Sequence, residues 1–109
     1  MKLINWKAYF RDLCGYECIT TFGNDFDIAE QCGGVSAIKD TFNRAFNEWK
    51  SDYKFLTELV MVLNHKIFMW YEKNETIARV YDELWRKADE YAMDNLKDKE
   101  LSYFLQTTD

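Results

Sequence analysis

One histidine and three cysteines are the side chains of this 109-residue sequence from which nucleophilic, general-base or metal chemistry would first be built. His65 shares a helical stripe with two carboxylates, in the order Glu58, Val62, His65, Met69, Glu72, and a carboxylate beside an imidazole can orient it as a base. Residues seven apart on a helix stand about 10 Å apart at 1.5 Å per residue, beyond direct contact for most rotamers. The spacing therefore favours a packed or partly exposed histidine. Cys14, Cys18 and Cys32 could join His65 as zinc ligands. Structural zinc draws on close pairs such as C-x2-C, whereas the nearest pair here is C-x3-C and the other two ligands are scattered. Three thiols also leave an odd one in any disulfide scheme, so reduced cysteines and no metal are expected. The sequence contains no glycine-rich phosphate loop, no G-x-S-x-G and no H-E-x-x-H. The reading is a chain with no catalytic residues and no cofactor.

Recognition chemistry has a stronger pattern, in Asp25 to Arg44, DFDIAEQCGGVSAIKDTFNR. A helix-turn-helix needs a small residue in its first helix, a glycine at the turn and apolar residues fixing the second helix. Ala29, Gly33, Val35 and Ile38 satisfy that logic. The outer face of the second helix then offers Lys39, Asn43, Arg44, Asn47 and Lys50 to phosphates and base edges. An additional glycine in the turn, Asp25, Asp27 and Glu30 on the first helix, and a net charge of −5 argue the other way. Ordinary helix packing is the preferred reading of this stretch, and DNA binding the alternative.

The element that must position all of these is Lys54 to Tyr71, KFLTELVMVLNHKIFMWY, the one helix-length stretch with apolar residues on nearly every side. At 100° per residue, Leu56, Leu59, Val60, Leu63, Ile67 and Trp70 form one stripe. Met61, Val62, Phe68 and Met69 lie opposite with His65 among them. If Trp6, Phe10, Ile19, Phe22 and Phe26 fold over that second side it is core; if they do not, it is a candidate interaction face, and a homodimer follows. The short N-terminal helices favour the open face.

Around this helix the chain reads as all-α. Asn5 caps a short helix carrying Trp6, Tyr9, Phe10 and Leu13; Tyr16 to Phe22 is extended; Asn24 caps a second short helix ending at Gly33-Gly34. Val35, Ile38, Phe42, Ala45, Phe46 and Trp49 mark a third helix. Its apolar phase runs on into the central one, so periodicity alone permits a rod of about 55 Å from Val35 to Tyr71. Cap chemistry at Ser51-Asp52 predicts a break instead. Asn74 caps a last long helix with Ile77, Val80, Tyr81, Leu84, Ala88, Tyr91, Ala92 and Leu96 on one stripe, and Asp98 caps a final turn with Leu101, Phe104 and Leu105. The expected architecture is a single domain over 1–109. Residues 1–34 form short helices and an extended segment, and 35–106 form a bundle, making about five helices with two long C-terminal ones. With no proline and four glycines, a multi-stranded fold would lack its turns. A 48% hydrophobic, 17% aromatic composition is that of a folded chain.

The longest apolar run, Leu59 to Leu63, is far short of the roughly 20 residues of a membrane span. Asn5, Lys7 and Arg11 interrupt any signal-peptide core, so a cytoplasmic protein is expected. The runs AIKDTFNRAFNEWK (Ala37 to Lys50), YKFLTELVMVLNHKI (Tyr53 to Ile67) and ELSYFLQTTD (Glu100 to Asp109) resemble those of small proteins carried on conjugative and other mobile elements of gut bacteria. That resemblance implies a cytoplasmic accessory protein and no particular activity. The functional expectation is a non-enzymatic helical module acting through protein contacts, with a helix-turn-helix DNA-binding accessory as the alternative.

Overall fold

A computed structural model describes residues 25–108, and five helices with no strand are present among them. They are α1 (25–32), α2 (Gly34–Trp49), α3 (Tyr53–Trp70), α4 (Glu75–Asn95) and α5 (Asp98–Thr108). The expected helix at Asn5, the extended segment Tyr16 to Phe22 and the cap at Asn24 lie outside the described residues.

The centre is α3, as its composition requires: every residue from Leu56 to Leu63 is buried, so this half of the helix is covered all round. Asp52 starts it. Its backbone is extended (φ −102°, ψ 108°), and its carboxylate accepts from Lys54 N at 3.0 Å and Phe55 N at 3.4 Å, satisfying donors that the first turn would otherwise leave orphaned. The chain therefore folds back instead of continuing as a rod, and its longest dimension is 38 Å. Trp49 and Phe55 stack across the break with ring centroids 4.3 Å apart.

Among α2 to α5 the most extensive helix pair is α3 with α4. Asn74 caps α4 by accepting from Ile77 N at 3.3 Å. The fully buried Ala88 and Ala92 leave room for close backbone approach, and Val80, Tyr81 and Leu84 supply the bulk. The outer face of α4 carries the exposed ion pairs Glu75–Arg79 and Asp82–Arg86 at helical i,i+4 spacing. Edge-to-face rings join the remaining layers: Phe46 to Tyr91 ties α2 to α4, and Tyr53 to Tyr103 ties α3 to α5. Asp98 takes a left-handed φ of 56°, tolerable for aspartate, and opens an eleven-residue helix that buries Phe104 completely. That helix is longer than the single turn expected.

The sequence pattern placed Met61 and Val62 on an interaction face, and the structure corrects this. They are 9% and 1% exposed, part of the core built within one chain. A stripe opposite the main one identifies a second buried side equally well, because periodicity reports apolarity and not what covers it. Among the described residues no helix is long and apolar enough to cross a membrane.

Candidate functional site

Polar chemistry concentrates where α1 meets α3 and α4, around a residue the sequence reading did not single out. Lys66 follows Leu59 and Leu63 on the main apolar stripe of α3 and is 1% exposed. Its ammonium pairs with Asp27 and, at 2.9 Å, with Glu30 Oε2. The same Glu30 oxygen accepts from Trp70 Nε1 at 2.9 Å and from the Tyr81 hydroxyl at 2.5 Å. The spacing makes this possible. Asp27 and Glu30 are three apart on α1, and Lys66 and Trp70 four apart on α3, so each pair shares a helix face. Phe26, fully buried, packs edge-to-face on Tyr81 at 5.7 Å and closes the apolar side of the contact. Burial, then the Glu30 hydrogen bond and carboxylate charges, push the Tyr81 hydroxyl far above its ordinary pKa, holding it as a neutral donor. One signal for the network was available: a lysine on an apolar stripe needs a carboxylate partner, and Asp27-x-x-Glu30 presents two on one face.

His65 stands beside Lys66. Burial first, and the Lys66 ammonium second, lower its pKa to about 4 against a partial opposing effect of Asp27. The imidazole is neutral near pH 7. Glu58 is buried at 1% exposure and Glu72 is exposed, so the stripe that suggested an oriented base is divided between core and surface. Cys32 is an exposed free thiol at the end of α1, while Cys14 and Cys18 lie outside the described residues. No group of three potential metal ligands occurs among the described residues.

The helix-turn-helix expectation meets α1 and α2 joined through Gly33 alone, a tighter connection than the three or four residues of that motif. Between them runs a groove of about 590 Å³ lined by Asp25, Ile28, Cys32, Asp40, Asn43 and Arg44 among others. Lys39, Asn43, Arg44 and Asn47 are exposed on α2, with Asp40 on the same outer face. Lys50 is half-buried, its ammonium 5.5 Å from the Phe46 ring and 5.6 Å from the Tyr91 ring. It is thus partly engaged in covering aromatic surface.

Of the expected interaction face, the end of α3 stays accessible. Phe68 is 38% and the following Tyr71 73% exposed, while His65 and Met69 are half-buried. Phe68, Met69, Tyr71, Glu72 and Lys73 line a cleft of about 330 Å³. Comparison with family models, with curated proteins and with solved structures finds no match to this chain.

Proposed function

We propose that this chain is a small, non-enzymatic helical module that works through protein contacts, with a second copy of itself as the partner, in a cytoplasmic accessory role consistent with its resemblance to mobile-element proteins. The observation that carries the reading is the exposed apolar end of α3, where Phe68 and Tyr71 remain open beside a cleft. Adjacent side chains of opposite charge, Glu72 and Lys73, flank it. A twofold contact could pair each with its opposite on the second copy, making the patch self-complementary. Light scattering coupled to size exclusion tests it. Wild-type protein is expected at twice the 13.1 kDa chain mass, and Phe68→Lys at the monomer mass with its helical circular dichroism intact. A wild type that stays monomeric at high micromolar concentration overturns the reading.

A second reading, DNA binding through Lys39, Asn43, Arg44, Asn47 and Lys50, is favoured by the exposure of the first four on one helix. Arg44→Ala would then lower the salt slope of binding to random duplex by about one unit. Absence of binding at ~50 mM salt removes it.

A further inference from the structure

The connection between α1 and α2 is a single hinge. Gly33 N still donates to Ala29 O at 3.0 Å, as the next residue of α1 would, and the chain then turns at Gly34, whose φ is 65°. Both glycines are needed for that turn. A Cβ on Gly33 would lie 2.5 Å from the Ala37 Cβ, and Gly34 occupies the left-handed region that other residues avoid. With helical values at Gly33 and Gly34, residues 25–49 become one continuous helix about 37 Å long at 1.5 Å per residue. That carries α1 off its own chain.

The site α1 leaves behind does not stand empty at low cost. Lys66 would lose Asp27 and Glu30, the Trp70 N–H and Tyr81 hydroxyl would lose Glu30, and the core would lose Phe26 and Ala29. A buried ammonium without a partner is strongly unfavourable. The occupant that restores every one of these contacts is the same helix from another copy, with only the hinge different between closed and exchanged forms.

We propose that the Lys66–Trp70–Tyr81 site is a helix-recognition site that can take α1 of a second copy, and that Gly34 decides whether α1 closes onto its own chain or onto the other. Glycine at the hinge permits the closed turn and disfavours the fused helix; alanine does the reverse on both counts. The inference rests on the reading of this protein as a module that contacts a second copy, but it does not use the Phe68 surface, so the two are separated by working in a Phe68→Lys background. Two tests are combined. In that background Gly34→Ala is expected to move the protein from the monomer to twice the 13.1 kDa chain mass. In the second, one chain carries Lys66→Glu and the other Asp27→Lys with Glu30→Lys. Alone, each opposes like charges at the site; refolded together, an exchanged heterodimer restores opposite charges at both sites, with the native pairs at one and reversed pairs at the other, where only the Glu30 acceptor for Trp70 and Tyr81 is missing, and a 1:1 species with recovered helicity is expected. A folded, monomeric Gly34→Ala protein overturns the proposal. If Gly34→Ala does not fold, failure of the charge-reversed pair to associate overturns it, and formation of the heterodimer sustains it.

Discussion

The two halves of α3 are buried by different means. From Leu56 to Leu63 the helix is covered all round, with six apolar residues in that span, Thr57 satisfied by Tyr53 O at 2.7 Å, and one buried carboxylate, Glu58. From His65 to Trp70 the burial is selective: Lys66 is enclosed by carboxylates of α1, His65 and Met69 are half-covered, and Phe68 is open. Apart from Glu58, the first half rests on area removed from water, a non-directional gain that tolerates other apolar residues of similar volume. The second rests on matched charges and hydrogen bonds, where removing one partner leaves the other buried and uncompensated. Hydrophobic burial degrades gradually, and ionic burial fails by the partner.

The largest effect is expected where one carboxylate serves three donors. Glu30→Ala should cost about 3–5 kcal/mol, the range for breaking a buried pair, read from the urea midpoint. Lys66→Met should cost less, because Glu30 keeps the Trp70 and Tyr81 donors and Asp27 is 42% exposed to water. Equal costs would mean that the second half of α3 is held by packing like the first. Leu63→Ala, at a fully buried site, should cost about 2–5 kcal/mol, according to how far the core closes over the cavity. An unchanged midpoint there would contradict the all-round burial of the first half.

The smallest effect is a pH slope. His65 is held near pKa 4, so between pH 6.5 and 4 the unfolded chain binds a proton that the folded chain does not. The His65 contribution to stability should be level above pH 7 and fall as pH drops through that window. His65→Gln should flatten the upper part of the slope, between pH 7 and 5, before carboxylates titrate. Parallel curves for wild type and His65→Gln would show that the imidazole is as well solvated in the fold as in the unfolded chain.

Features whose partners lie within a few residues could be read directly. Asp52 and Asn74 accept from backbone donors two or three residues ahead, so the break after Trp49 and the start of α4 were legible as cap chemistry. The apolar stripes of α2 and α4 were legible because helical periodicity is a local property. The candidate site was less so. His65 drew notice as the only imidazole, yet the polar cluster beside it is organised by Lys66, whose carboxylate partners lie on α1.

By itself, then, the sequence determined an all-α fold, the starts of α3 and α4, and which faces are apolar, since capping and periodicity act over one or two turns. Only the tertiary structure decided that Met61 and Val62 are covered while Phe68 is not, and that Asp27 and Glu30 close on Lys66. Those pairings join residues 39, 40 and 51 positions apart in the cases of Asp27 with Lys66, Glu30 with Trp70 and Glu30 with Tyr81. Burial and charge matching at such separations depend on how whole helices pack, and no local pattern encodes which neighbour arrives.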